Sequence, residues 1–338
     1  MSYPVPIVPV SCVLTVIVPV FNEDAVLGIF HKRLVAALSQ FNEPWEVLYI
    51  DDGSSDRSLA ILNDLKQISP NISFAALSRN FGKEAAMNAG LNLARGEAVV
   101  LIDADLQDPP ELIVSMVDVW RKGADVVNMK RRSRDGETWF KRASAHNFYR
   151  LMNKLADITI PEDVGDFRLL SRRAVEAMNS LPEHNRFAKG LFAWIGFVQV
   201  SVEYDRHARA AGNSKWPYGK LLTLALEGVT GFSVMPLKLA TYTGFICAAG
   251  AFLYALLFIG KTLFIGDSVQ GFPTLIVTVL MLGGLQLMAM GILGEYLGRL
   301  FIESKGRPLY LLKEYQPFDA NPAHANLHNE LPTTTSHV

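Results

Sequence analysis

The chain has 338 residues, half of them hydrophobic, and a net charge of −1. That length allows one sizeable domain with additional elements, and the balanced charge excludes the broad basic footprint of a nucleic-acid binder. The mean hydropathy of +0.19 is high for a soluble enzyme, and the excess lies in the second half.

Residues 1–10 read as an extension. Cys12 to Val20 is apolar, but no basic residue precedes it and Pro9 and Pro19 break it. A buried strand therefore fits better than a signal peptide, and the N-terminal domain is expected in the cytoplasm. Val13–Pro19 is the first predicted strand, followed by a helix over Ala25–Leu38 with Asp24 as its cap. Glu46–Asp51 is a strand, ending in the turn Asp52-Gly53-Ser54-Ser55, and Ser58–Ile68 is helical. Ile72–Leu77 and Glu84–Ala94 repeat the pattern, as do Ala98–Ile102 and Pro110–Arg121, and Asp125–Met129 is a fifth strand. This alternation predicts an α/β fold, a parallel sheet with helices on both faces. Ligands of such sheets sit outside the carboxyl ends of the strands, where Asp52, Asn80, Asp103 and Asp105 fall.

Beyond about residue 215 the character changes. Leu239–Gly260 and Phe272–Gly294 carry no charge, and each is just over twenty residues long, matching the roughly 20 residues a helix needs to cross a bilayer. Soluble helices of that length keep a polar face, so a transmembrane hairpin is predicted, linked by Lys261–Gly271. Lys215, Lys220 and Lys238 precede the first span, Arg299, Lys305, Arg307 and Lys313 follow the second, and the link holds only Lys261. The positive-inside rule then puts both termini in the cytoplasm and the chain in the cytoplasmic membrane. Phe140–Leu155 and Tyr218–Met235 read as amphipathic helices lying in the headgroup plane. For the first, ordinary packing on the sheet domain is an equal alternative. The plan is an extension over 1–10, a sheet domain over 11–215, an interfacial helix over 216–236, the hairpin over 237–300 and a tail over 301–338 with a disordered end. No disulfide is expected between Cys12 and Cys247, one in a strand and one in a span.

The densest chemistry is Asp103-Ala104-Asp105-Leu106-Gln107-Asp108-Pro109, directly after a buried strand. Asp103, Asp105 and the amide oxygen of Gln107 make a compact set of hard ligands suited to Mg²⁺ or Mn²⁺. Taken alone, an Asp-x-Asp is commonly a solvated turn. Its position at a strand end and its neighbours favour the functional reading. No Gly-x-x-x-x-Gly-Lys loop, Gly-x-Gly-x-x-Gly fingerprint or Ser-centred elbow occurs, which weighs against ATPases, dinucleotide enzymes and serine hydrolases.

Four segments occur in order: Val18-Pro19-Val20-Phe21-Asn22-Glu23, Asp51 to Asp56, Arg79-Asn80-Phe81-Gly82-Lys83-Glu84 and Asp103 to Pro109. Together they resemble the family-2 glycosyltransferases of GT-A fold. More narrowly, with Gly165 to Leu169, Arg206 to Lys215 and Leu293 to Arg299, the chain is similar to the polyprenyl-phosphate sugar transferases, the bactoprenol glucosyltransferases and dolichol-phosphate mannose synthases, over roughly residues 12 to 315.

The resemblance implies a Rossmann-like sheet domain with interfacial helices and a membrane hairpin. It implies a nucleotide-sugar donor, a polyprenyl phosphate acceptor, a lipid bilayer as partner and Mg²⁺ or Mn²⁺ as cofactor. A homo-oligomer stays open. Pro19, Phe21, Glu23, Asp52, Asn80, Lys83 and Asp103 fall at its nucleotide positions, and Asp103, Asp105 and Gln107 at its metal positions. Asp166 falls at the catalytic position with Asp105, as base or as orienting group; pairing with Arg168 is the competing reading. Arg206, Arg209, Ser214 and Lys215 fall where the family closes over the donor phosphates, although Asn213 and Trp216 depart from the usual pattern there. Arg131, Arg132 and Arg134, with Lys130, form a cationic cluster suited to the acceptor phosphate or to anionic lipid. UDP-glucose is the first choice of donor. GDP-mannose, UDP-N-acetylglucosamine and UDP-aminoarabinose-type donors remain alternatives, as does a non-catalytic membrane scaffold. A processive synthase is disfavoured because no Gln-x-x-Arg-Trp motif is found.

Overall fold

The computed structural model describes residues 12–132, 164–181, 183, 188–205, 235–265 and 271–318. The first half follows the predicted alternation: β1 (Leu14–Val20), α1 (Asp24–Leu38), β2 (Trp45–Asp51), α2 (Ser58–Ile68), β3 (Ile72–Leu77), α3 (Lys83–Leu93) and β4 (Ala98–Leu101). A 3-10 turn at Pro110–Leu112 leads into α4 (Ile113–Arg121), and β5 spans Val126–Arg131. Then come β6 (Val164–Ser171), α5 (Arg172–Ser180), α6 (Ala188–Trp194), β7 (Gln199–Tyr204), α7 (Met235–Ile265), α8 (Phe272–Ser304) and β8 (Leu312–Gln316). Asp24 does not cap α1. It lies in the first turn, and its backbone N–H donates to Asp56 Oδ2 at 3.1 Å.

One eight-stranded sheet has the order β7-β5-β6-β4-β1-β2-β3-β8. The strands β1 to β4 are mutually parallel, as the alternation predicts. They read as near-continuous apolar runs because both faces are covered. Leu14, Val16 and Val18 pack on one side in the layer of Leu27, Phe30 and Leu34 from α1. Ile17 packs on the other with Ala86 and Met87 of α3. There α3 crosses β1 closely: a Cβ on Gly90 would lie 2.4 Å from Ile17 Cγ2.

Two departures from the predicted plan matter. The fifth strand does not join β4; β6 inserts between them, antiparallel to both. The segment Gly165 to Leu169 is therefore an interior strand as well as a motif, with Phe167, Leu169 and Leu170 buried on its two faces. The second departure is in the predicted tail. Leu312–Gln316 forms the outer strand β8, antiparallel to β3, with Leu77 opposite Leu312 and Phe74 opposite Gln316. The Ser78 N–H donates to Leu311 O at 2.8 Å. Asn92 Nδ2 donates to the Tyr310 hydroxyl at 3.0 Å, Arg95 Nη2 to that of Tyr315 at 3.3 Å, and Lys66 Nζ to Pro317 O at 2.7 Å. Charge on Lys313 and Glu314 hides this strand from a hydropathy reading, yet it covers the wholly buried β3. Covering an apolar strand removes an open row of N–H and C=O groups.

The helices α7 and α8 contact each other. Leu237–Tyr254 and Met281–Ser304 within them are long and apolar enough to cross a membrane by length and composition, and neither is buried in the protein. Both helices outrun the predicted spans: α7 continues into the predicted link and α8 past Gly294, where Arg299 pairs with Glu295 at 3.0 Å. The predicted interfacial helix Phe140–Leu155 lies outside the described residues. So do residues 319–338 and all of Tyr218–Met235 except Met235 itself, where α7 begins. Cys12 and Cys247 are both free.

Gly96 leads into β4. Its N–H donates to Thr15 Oγ1 at 2.8 Å, and an added Cβ would fall 2.5 Å from Thr15 N and 2.6 Å from Ala98 O. Backbone atoms cannot yield as a flexible side chain can. Gly96→Ala is expected to destabilise the sheet domain by roughly 1–3 kcal/mol, read as a lower unfolding temperature in detergent.

Candidate active site

The carboxyl ends of β1 and β2 carry two loops that brace each other. Asn22, with φ at 54°, accepts the Ser55 N–H on Oδ1 at 2.8 Å and donates its own N–H to Ser54 Oγ at 3.0 Å. The Glu23 N–H donates to Ser58 Oγ at 2.9 Å, and Asp51 accepts the Ser54 N–H at 3.2 Å. Much of the polar run from Asp51 to Ser58 is thus committed to shaping the loops. This platform leaves Phe21 44% exposed at the cleft. Sequence reasoning quoted Asn22, Asp51 and Ser54 within motifs but gave no role to them or to Ser58; their clustering just past two strand ends was the available signal.

Asp52 is buried, and its carboxylate accepts the N–H of Phe81 at 2.7 Å and of Gly82 at 2.9 Å. Burial pushes its pKa up, and the two N–H donors only partly offset that. Its visible work is to hold the 79–82 loop, in addition to the predicted place beside a nucleotide. Gly53 makes the approach feasible. Its φ is +70°, and a Cβ would meet Arg79 C at 2.4 Å and Asn80 N at 2.6 Å.

A cavity of about 310 Å³ opens at these strand ends. Pro19, Phe21, Glu23, Asp52, Asn80, Lys83 and Asp103 all line it, together with Asp105. The seven predicted nucleotide residues therefore converge on one space. Asp166 joins from β6. The antiparallel register pairs Leu101 with Arg168, so continuing it sets Asp103 opposite Asp166. Between them sits the Lys83 ammonium, 2.6 Å from Asp103 Oδ1, 2.8 Å from Oδ2 and 2.5 Å from Asp166 Oδ2. Desolvation works to lower the Lys83 pKa, but Asp103 and Asp166 outweigh it and hold the ammonium firmly protonated. Desolvation raises the Asp103 pKa, with Lys83 pulling down and Asp166 pushing up. The guanidinium of Arg168 turns away, donating to Gly165 O at 2.7 Å and lying 3.9 Å over the Phe192 ring. Asp166 pairs with Lys83 instead.

Asp105 is buried, and its Oδ1 accepts the Gln107 N–H at 3.1 Å across Leu106, whose φ of 62° is unusual for a bulky residue. The backbone of Gln107 is used in this turn, and its side chain is not among the cavity lining. Asp108 is buried and accepts the Tyr204 hydroxyl, which ties the loop to β7. Among the described residues, no group of three His, Cys, Asp or Glu side chains converges tightly enough to cage a metal. The donor set still fits a hard divalent ion: a cation, the ammonium, already rests on both oxygens of Asp103. Asp103 and Asp105 would supply one or two carboxylates, with substrate phosphates completing the shell.

The cationic cluster is partly neutralised. Lys130 lies 3.5 Å from Glu203, and Arg132 lies 3.3 Å from Asp205 and 3.9 Å from Glu203. Arg131 differs. It bonds the Tyr204 hydroxyl and packs over Gly165, its Nη2 3.2 Å from where a Cβ would stand. Arg134, Arg206, Arg209, Ser214 and Lys215 lie outside the described residues.

An uncharacterised glycosyltransferase of Synechocystis sp. is 46% identical over 311 residues, covering 90% of this chain and 98% of its own. The profile described as Glycosyl transferase family 2 matches residues 15–178. The chain belongs to glycosyl transferase family 2. It is a glycosyltransferase with the mixed, mostly parallel GT-A sheet. A bactoprenol glucosyl transferase of Shigella phage SfV is 46% identical to this glycosyltransferase over 304 residues, 89% of this chain and 98% of its own. Among solved structures, mannosyl-3-phosphoglycerate synthase from Rubrobacter xylanophilus is similar with a TM-score of 0.45 at 20% identity, over 64% of this chain and 72% of that one.

Replacing Gly53 should disturb the cleft of the glycosyltransferase at a defined place. Gly53→Ala is expected to cost about 1–3 kcal/mol from backbone strain and forced displacement. It should also speed hydrogen exchange at the Phe81 and Gly82 amides, whose acceptor is Asp52. Unchanged exchange there would show that Gly53 does not set the loop.

Proposed function

We propose that this glycosyltransferase moves a sugar, with inversion, from a nucleoside diphosphate donor to a polyprenyl phosphate at the cytoplasmic face of the membrane. One observation carries the reading: Asp103, Asp105 and Asp166 converge with Lys83 on a cleft lined by every predicted nucleotide residue. A chain that continues into two helices of membrane-crossing length suits an acceptor that stays in the bilayer. The domain plan is kept with one change. The sheet domain takes in Leu312–Gln316, and α7 and α8 form the membrane hairpin with both termini cytoplasmic.

UDP-glucose is the proposed donor, supported by the relative named as a bactoprenol glucosyl transferase. Phe21, Glu23, Asp52 and Asn80 hold the nucleoside, and Asp103 sits at the diphosphate. A Mg²⁺ or Mn²⁺ ion on Asp103 and Asp105, with Gln107 as a further oxygen, would neutralise charge on the departing diphosphate. Arg206, Arg209, Ser214 and Lys215 are proposed to close over the same phosphates, since fixed cations stabilise developing negative charge. The acceptor phosphate is already largely ionised near pH 7, because its second pKa is about 6. Asp166 therefore orients the attacking oxygen or the sugar more than it removes a proton. Arg131 is the favoured member of the acceptor cluster, because it packs over Gly165 while, among the described residues, Lys130 and Arg132 face Glu203 and Asp205.

The test incubates the purified protein in detergent with Mn²⁺, undecaprenyl phosphate and, in separate reactions, UDP-glucose, GDP-mannose, UDP-N-acetylglucosamine and a UDP-aminoarabinose-type donor. Lipid-soluble sugar from UDP-glucose is expected; product from another donor would replace glucose and keep the class. No lipid-linked product from any of them would reject the reading. Asp105→Asn and Asp166→Asn are each expected to lower transfer by about 10²–10⁴-fold without a large fall in unfolding temperature. Full activity in either would remove that residue from the site.

A further inference from the structure

We propose that Lys83 is a placeholder cation, holding Asp103 against Asp166 in the donor-free enzyme and leaving Asp103 when a divalent ion and the nucleotide diphosphate enter. The inference rests on the reading that Asp103 and Asp105 hold the metal. Its foundation is geometric. The ammonium lies within 2.8 Å of both Asp103 oxygens and 2.5 Å from Asp166. A divalent ion on either oxygen of Asp103 would stand within a few ångströms of Nζ, where two cations repel strongly. The ammonium and the metal therefore exclude each other from this carboxylate.

The site has a reason to need such an occupant. Asp103, Asp105 and Asp166 are gathered around one cleft, and without a cation the facing carboxylates of Asp103 and Asp166 would push β4 and β6 apart at this end. The device can also move. The backbone of Lys83 is anchored, because the preceding Gly82 N–H is held by Asp52 and α3 starts at Lys83. Its side chain is 40% exposed to the cleft. A lysine is a compact point charge on a flexible four-carbon stem, so the ammonium can leave Asp103 while the fold stays fixed. A diphosphate then gives the released ammonium new acceptor oxygens and gives the metal its remaining ligands. Metal and nucleotide should consequently bind with positive coupling, and the empty enzyme should bind metal poorly.

The experiment measures Mn²⁺ binding, not turnover. The full-length protein in detergent is titrated with MnCl₂ by calorimetry, with and without saturating UDP, for wild type and Lys83→Met. Wild type is expected to bind Mn²⁺ weakly alone and more tightly with UDP. The variant is expected to bind Mn²⁺ alone about tenfold more tightly than wild type, with less gain from UDP. Equal or weaker Mn²⁺ binding by the variant, while wild type binds Mn²⁺ with UDP, overturns the placeholder role and leaves the metal site standing. No Mn²⁺ binding by wild type even with UDP overturns the metal reading itself. The unfolding temperature reports whether Lys83→Met folds. If it does not, Lys83→Gln, which keeps a hydrogen-bond donor but no charge, is held to the same outcomes.

Discussion

Three carboxylates drawn to the mouth of one sheet are the constraint around which this protein is arranged. Two like charges 4 Å apart near a protein surface repel by about 4 kcal/mol at an effective dielectric constant near 20. Asp103 and Asp166 both contact the Lys83 ammonium, at 2.6 Å and 2.5 Å, and that cation bridges them. The position of Lys83 follows from packing further back. Gly90 lets α3 press onto Ile17 of β1, and Asp52 fixes Phe81 and Gly82 just ahead of the helix. A cation delivered by a helix start, two acids delivered by neighbouring strands and a loop pinned from a third strand meet at one point.

The loops use their polar residues economically. Asn22, Ser54, Asp56 and Ser58 bond across the ends of β1 and β2, so the cleft wall is braced by its own hydrogen bonds without any ligand. Preorganised walls of this kind reduce the ordering needed on binding. Asp108 and Tyr204 do the same on the other side, tying the acidic loop to β7. The strained Leu106 between Asp105 and Gln107 belongs to the same pattern, since unusual backbone geometry persists only where the surroundings over-determine it.

The strand β8 gives the apolar helices a structural link to this site. Only a short connection separates the end of α8 at Ser304 from Leu312, and Leu311 and Leu312 meet Ser78 and Leu77 at the carboxyl end of β3. That is the end of the sheet on which the cleft opens. Tyr310 and Tyr315 reinforce the junction through Asn92 and Arg95. The C-terminal chain is thereby part of the sheet domain and couples α8 to it through backbone pairing.

Local pattern sufficed for part of this. The apolar runs of β1 to β4, each followed by a helical period, declare a parallel sheet buried on both faces, because each residue there answers to burial alone. The acidic residues at the strand ends were legible for the same reason: Asp52, Asp103 and Asp105 interrupt apolar runs where a ligand site belongs. Two long uncharged segments announced α7 and α8. What could not be read is everything that depends on pairing between distant residues. Neither the insertion of β6 between β4 and β5 nor the return of Leu312–Gln316 to β3 has a local signature, since strand order and register are set by which apolar faces must be shared. The fate of each charge was likewise decided in three dimensions. Lys130 and Arg132 looked like one basic cluster with Arg131 until the β7 side supplied Glu203 and Asp205. For Asp166 the sequence offered Arg168 as an alternative pairing partner, and only the fold shows that α3 brings Lys83 to it. Burial is written into the sequence residue by residue, whereas an ion pair exists only between two places that the fold brings together.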